Sequence, residues 1–333
     1  MNEITPGFYE IGIEDYHLDP CPSPSLNNSL ISVFLQAPAK ARNQHPKLNP
    51  LWRGTNSNRF DLGSAAHKLL LGRGREISVL EFDDYRKNDA KDARDAARAA
   101  GLIPILGKDF DIASAMETAA RRQIKEFELA GAFGSEGRSE MALLWLDSSG
   151  AWGRNLIDWS TDDLTEIWDY KTTDRSARPE DPGLGVHVVS MGYDTQSAMQ
   201  ERGLTTLFPQ LGGRIKFRLL FQETEPPYLI SAVEPDAATM TMAHKKVDYA
   251  FNKFAECLKS GVWPGYTPKI VPLVHAGYLA NRWLEREIAE FEGDGNELAP
   301  PVALPKRKPG RPKFSRNKKR ILVPRVPNPF GAG

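Results

Sequence analysis

The sequence predicts an α/β fold, with a mixed central sheet flanked by helices. Two observations carry that expectation. Three strand-length apolar segments lie in succession near the middle of the chain, with turn residues between the first two. Segments with helical spacing precede them, and a helix, two more strands and further helices follow, an order that suits a sheet with helices packed on it.

The elements follow in chain order. Residues 1–50 are rich in Pro, Asn and Ser, with one short amphipathic piece over 26–34 that Ser25 or Asn27 can cap. Small and apolar residues predict a helix over 62–72, with His67 on its face. A charged, Ala-rich helix spans 84–100 and stops at Gly101. The spacing of Ile112, Met116, Ile124 and Phe127 predicts a helix over 111–130.

Strands are expected over 141–146, 152–159 and 164–171, the first two joined by the turn Asp147-Ser148-Ser149-Gly150. One helix is expected over 186–202, then strands over 214–221 and 228–233 across Glu225-Pro226-Pro227. A long helix over 236–259 and another over 274–291 complete the pattern. Beyond Gly293 the chain turns to Pro, Gly and basic residues, a composition expected to be disordered. Two parts result: a domain over 1–295 and a basic tail over 296–333.

Composition narrows the class. With 41% hydrophobic and 26% charged residues, the chain reads as an ordinary globular protein. No apolar run reaches the ~18 residues of a membrane span, and no signal-peptide apolar stretch opens the chain. Cys21 and Cys257 are too few and too distant for a structural zinc or iron–sulfur framework. A cytoplasmic location and no membrane partner are therefore expected.

Net charge is zero, yet ten basic and no acidic residues fall between Lys306 and Arg325. Zero minus ten leaves −10 on the rest, so an acidic body carries a basic tail. That asymmetry suits a chain that meets nucleic acid through part of its surface. Within the tail, Lys308 and Lys313 flank a Gly-Arg-Pro core, centred on Arg311, that is similar to an AT-hook, an extended segment that lies in an A·T minor groove. A non-specific basic arm acting through counterion release is the other reading.

The chemistry concentrates at Asp158, Asp169 and Lys171. Asp158 ends one apolar strand, while Asp169 and Lys171 lie two apart in the next and so share a face with Ile167. Such groups are costly to bury unless partners compensate them. Two carboxylates and an amine at a strand end suit a divalent cation and an activated water, the chemistry of phosphodiester cleavage. A surface hairpin with one salt bridge is the plainer alternative. Four further residues add weight: His67 on its helix, Glu140 opening the first strand, and Tyr193 and Gln196 on the following helix.

Taken in order, Gly-x-x-x-His, Glu, Asp with Asp-Tyr-Lys-Thr, and Tyr-x-x-Gln resemble the PD-(D/E)XK nuclease superfamily. Within it the pattern is most similar to the RecE-like (exonuclease VIII-type) exonucleases of phages and prophages, related to RecB nuclease domains and lambda exonuclease. Tyr16-His17, Pro24-Ser25-Leu26-Asn27 and Ala37-Pro38-Ala39 also resemble the start of that domain, so the likeness runs from Tyr16 to Pro264.

The resemblance implies a restriction-endonuclease-like core and a set of roles. Asp158, Asp169, the Tyr170 carbonyl and His67 would ligate Mg²⁺, with Mn²⁺ tolerated. Lys171 would hold the attacking water, and Glu140 would bind a second metal or orient a water. Gln196 would brace the site and contact DNA, supported by Tyr193, and Arg154 would contact a phosphate. The implied activity is exonucleolytic hydrolysis of linear double-stranded DNA, with 5′-strand resection for recombination. Implied partners are duplex DNA with free ends, a single-strand annealing protein and further copies of the chain, in a bacterial host. An endonuclease or junction resolvase of the same fold, and an inactive DNA-binding protein, are the alternatives. Two departures stand out: Gln200 replaces a common tyrosine, and Asn155-Leu156-Ile157 stands where Arg-Pro often precedes the Asp.

Overall fold

The Pro- and Asn-rich opening contributes more regular structure than its composition suggests. In the computed structural model, which describes residues 4–53, 61–126, 131–134, 136–273 and 277–292, it holds β1 (Gly7–Tyr9), α1 (Ile13–His17), β2 (Ser25–Leu26), α2 (Asn28–Phe34) and α3 (Pro38–Gln44). Of the two candidate caps, Asn27 serves: its side chain accepts the Leu30 N–H at 2.8 Å.

There follow α4 (Asp61–Leu71), β3 (Ile77–Leu80), α5 (Asn88–Ala99), β4 (Ile103–Leu106) and α6 (Gly107–Glu126). The central strands are β5 (Arg138–Leu146), β6 (Trp152–Ser160) and β7 (Glu166–Thr173). Instead of one helix, two come next, α7 (Pro182–Met191) and α8 (Tyr193–Leu207). Gly192 divides them with a left-handed φ of 74°, and a Cβ there would lie 2.7 Å from Ser32 Oγ. The chain continues through β8 (Lys216–Glu223), β9 (Ile230–Val233), α9 (Ala237–Ser260) and α10 (Gly277–Glu292).

The main sheet has the order β1-β5-β6-β7-β8-β9. Along this path the pairs are antiparallel except β7–β8, which α7 and α8 connect as a crossover; β2 adds a short parallel pairing with β6, so the sheet is mixed as expected. β3 and β4 form a separate parallel pair. β5 occupies one edge of β6 along its length, from Arg138↔Ser160 to Leu146↔Trp152. On the other edge β7 pairs only at Trp159 and Ser160, and β2 pairs only at Trp152 and Gly153. The edge between those contacts is open, and Asp158 lies in that gap.

Apolar side chains on the two faces build two cores. One packs α2, α8 and α9 on Leu143, Trp145, Ile157 and Ile167; the other packs α4 and α6 on Trp159, Trp168, Tyr170 and Leu220. Ile157 and Trp159 are two apart but enter different cores, so strand alternation breaks at Asp158.

The chain divides into two compact units, Met1–Pro268 and Lys269–Gly333. Helix α10 falls in the second unit. Within α10, Trp283 donates its indole N–H to Glu287 one turn on, at 2.7 Å. No described helix is long and apolar enough to cross a membrane. The tail beyond Gly293, including Lys308, Arg311 and Lys313, lies outside the described residues, as does the expected helix end over 127–130.

Candidate active site

Asp158 fills the gap that the strands leave. Its Oδ2 accepts the Tyr170 backbone N–H at 2.9 Å, so a carboxylate takes the hydrogen bond that a paired strand would supply. In an extended strand a residue's N–H and C=O face the same neighbour, so the Tyr170 carbonyl looks into that gap too. The Tyr170 ring is committed elsewhere, its hydroxyl hydrogen-bonded to Gln222.

Glu140 lies opposite Asp158, between the paired Ser139↔Trp159 and Met141↔Ile157. Like charges facing each other across strands repel, and Glu140 holds a left-handed φ of 54° that a non-glycine residue seldom adopts. His67 resolves the repulsion: its Nε2 is 2.9 Å from Asp158 Oδ2 and its Nδ1 3.3 Å from Glu140 Oε1. Gly63, one helical turn earlier, lets α4 come this close, since a Cβ there would sit 2.9 Å from Thr172 Oγ1 on β7.

Asp169 and Lys171 share a face of β7, and their side chains meet at 2.5 Å. Gln196 on α8 donates its amide to Asp169 Oδ1 at 2.5 Å. Tyr193, one turn earlier, places its ring 4.9 Å from the Lys171 ammonium.

Charge balance explains the titration of these groups. Burial would depress the His67 imidazole, but the Asp158 and Glu140 carboxylates outweigh it and push its pKa up to about 10. Burial would raise Asp158, yet the His67 cation, Lys171 and the Tyr170 N–H hold it below the usual carboxylate range. Burial and the charge of Asp158 push Asp169 up to about 6, against the pull of Lys171. Lys171 is raised despite its burial, by Asp169 and Asp158. Three carboxylates therefore share two cations.

Among the described residues no group of three His, Cys, Asp or Glu side chains is arranged as a ready ion cage. The donor set nonetheless fits a hard divalent cation. It offers carboxylate oxygens, a backbone carbonyl and one imidazole, and the His67 cation already bridges two of the carboxylates. Asp169 Oδ2 is fully buried with no hydrogen-bond donor aligned on it, meeting Lys171 only as an ion pair.

One expected contact is corrected. Arg154 is 1% exposed and cannot reach a phosphate. Its guanidinium is 3.2 Å from Asp19 and donates to the Ser25 carbonyl at 3.0 Å, above the Tyr16 ring. It is a structural clamp holding the N-terminal segment on β6. The two departures from the family pattern meet each other: Gln200 on α8 donates to the Asn155 side chain at 3.3 Å.

The site opens into a cleft of about 960 Å³, lined by His67, Glu140, Asp158, Tyr170, Lys171 and Tyr193. His17, Arg73, Arg75, Arg98 and His187 line it as well. Sequence reasoning does not single out the two arginines that alternate with glycines in Gly72-Arg73-Gly74-Arg75, although a basic residue in a Gly-rich loop is the available signal.

A family model described as a PDDEXK-like domain of unknown function (DUF3799) matches residues 28–272. Among solved structures, a crystal structure described as "Putative exonuclease" from Eubacterium rectale has a TM-score of 0.53 and 13% identity, covering 80% of this chain and 97% of its own. A second, the crystal structure of SSO0001, is 14% identical, covers 58% of this chain and 86% of its own, and has a TM-score of only 0.23. No curated protein matches the chain.

Proposed function

The chain belongs to the family of PDDEXK-like domains DUF3799, and on that premise we propose that it is a metal-dependent nuclease hydrolysing phosphodiester bonds of double-stranded DNA. The observation that carries this reading is the convergence of Asp158, Asp169 and Lys171 where β6 and β7 part, with Asp158 and Lys171 lining the cleft and Asp169 buried against Lys171.

Asp158, Asp169, His67 and the Tyr170 carbonyl would hold Mg²⁺, and the single nitrogen ligand makes Mn²⁺ a fitting substitute. Such an ion lowers the pKa of bound water and neutralises charge on phosphate oxygens. Lys171, kept cationic by its neighbours, donates from Nζ to the attacking water or to the charge developing on the phosphate. Gln196 fixes the orientation of the Asp169 carboxylate, and Tyr193 confines the Lys171 ammonium. Glu140 orients water or a second ion from the opposite strand.

The finer reading is an exonuclease that starts at free duplex ends and resects the 5′ strand, passing its product to an annealing protein. The order of the motifs supports it, and the Eubacterium rectale structure is described as a "Putative exonuclease". The basic tail would add affinity through phosphate contacts of Lys308, Arg311 and Lys313. End-labelled linear duplex incubated beside covalently closed circles tests this reading. Digestion of the linear form with the circles spared is expected; nicking or linearisation of the circles would assign an endonuclease.

A further inference from the structure

Arg73 and Arg75 stand apart from the other cations of the cleft. Lys171 is bound to Asp169, and Arg98 to Asp61 at 2.9 Å. Lys68 is bound at 2.7 Å to Glu76, eight residues on at the far end of the same loop, and that glutamate is exposed as well. Arg73 and Arg75 instead pair with glutamates from a separate segment, Glu10 and Glu14. Those glutamates are largely in solvent, with side chains 67% and 52% exposed. Exposed pairs of this kind contribute little to stability and exchange readily.

The backbone beneath the arginines is built for close approach. Gly72 and Gly74 take φ of 70° and 96°, turning the chain on either side of Arg73. A Cβ on Gly74 would sit 3.5 Å from the Glu140 carboxylate, so the loop rests directly against the candidate active site. Lys68 braces it, with its ammonium 3.4 Å from the Gly74 carbonyl. The loop is thus anchored through its backbone, while among the described residues its two guanidinium groups pair with exchangeable carboxylates.

Resting on the nuclease reading above, we infer that Arg73 and Arg75 form a phosphate clamp for the DNA strand entering the cleft, and that Glu10 and Glu14 occupy it as internal stand-ins for phosphate. A guanidinium binds carboxylate and phosphate oxygens through the same paired N–H geometry, so a DNA backbone can displace both glutamates. The stand-ins lower affinity for short or weakly charged nucleic acid and yield to a duplex that presents successive phosphates.

Affinity of the full chain for a short labelled duplex, measured in EDTA across a salt series, tests the clamp. Each phosphate contact adds about 0.9 to the slope of log affinity against log salt. Arg73→Gln with Arg75→Gln should therefore flatten the slope by about 1.8 and weaken binding by roughly tens-fold at 0.1 M salt. Glu10→Gln with Glu14→Gln should tighten binding by about 2- to 10-fold, because an exposed competing pair is removed. Unfolding midpoints measured alongside identify an arginine variant that is merely misfolded, in which case the glutamate variant decides. Unchanged affinity in the glutamate variant, or a wild-type slope in a folded arginine variant, would overturn the clamp. Cleavage assayed in parallel with Mg²⁺ separates the two claims. A chain that cuts DNA but fails these tests loses the clamp alone. A chain that binds as expected but never cuts loses the nuclease reading and keeps the clamp.

Discussion

The Asp158 carboxylate accepts the Tyr170 N–H at 2.9 Å and so replaces a rung of the β6–β7 ladder with a side chain. The consequence is geometric. The two strands stay close enough to share an edge, yet a polar gap opens between them into which Asp158, the Tyr170 carbonyl and His67 all point. A sheet paired along this whole edge would leave no room for a phosphate.

Gln196 should act through Asp169. Its amide fixes the orientation of Oδ1 and leaves Oδ2, which has no aligned donor, for another partner. Gln196→Ala is expected to lower cleavage by about 10- to 100-fold, as is usual when a hydrogen bond to a metal ligand is removed. The half-saturating Mg²⁺ concentration should rise and excess Mg²⁺ should restore part of the rate. A loss of rate with unchanged metal dependence would assign Gln196 to DNA contact instead.

Arg154 should matter for stability and not for DNA. Arg154→Met leaves the buried Asp19 carboxylate without its guanidinium, a loss of about 3–5 kcal/mol for a broken buried pair. Denaturant titration measures it, while duplex affinity of the folded variant should stay within about 2-fold of wild type, within the range of surface effects. Asp19 and Asp147 add a pH signature. Burial acts to raise both, but His45 and Arg154 around Asp19, and Arg202 beside Asp147, hold them below the ordinary 3.8. Their folded values are depressed, so their stabilisation is present above pH 3.8 and is lost as pH falls through the folded values.

The tail should separate cleanly from the chemistry. Truncation after Leu304 removes ten basic residues and none of the groups between His67 and Gln196. Turnover at saturating DNA should not change, whereas affinity should fall and its salt dependence flatten. A greater loss on A·T-rich than on G·C-rich duplex would mark a minor-groove hook. Equal losses would mark a non-specific arm, and unchanged affinity would remove the tail from DNA binding.

The site was readable because its signal is local. Asp169 and Lys171 two apart in an apolar strand, and Asp158 at the end of another, violate the pattern that a buried sheet otherwise keeps. The central strands were legible for the same reason, being long enough to show alternation. β1 to β4 are two to four residues each, too short for any period to register. The break between α7 and α8 depends on a left-handed Gly192 packed against Ser32, and nothing within the helical text around it announces that contact. Arg154 was misread because its partners, Asp19 and Ser25, come from a distant segment. Whether a strand arginine faces a ligand or a buried carboxylate is decided by tertiary pairing.

Cleavage of linear duplex by the wild-type chain and by Lys171→Ala, each with Mg²⁺ or Mn²⁺ and with excess EDTA, tests the central claim most directly. The carboxylates Asp158 and Asp169 cannot activate water without an ion, and Lys171 is a cation held against Asp169. The expected result is cleavage by the wild-type chain that stops in EDTA. Lys171→Ala should be slower by roughly 100-fold or more, with duplex binding retained. Undiminished cleavage in EDTA, or near-normal turnover by Lys171→Ala, would contradict the account.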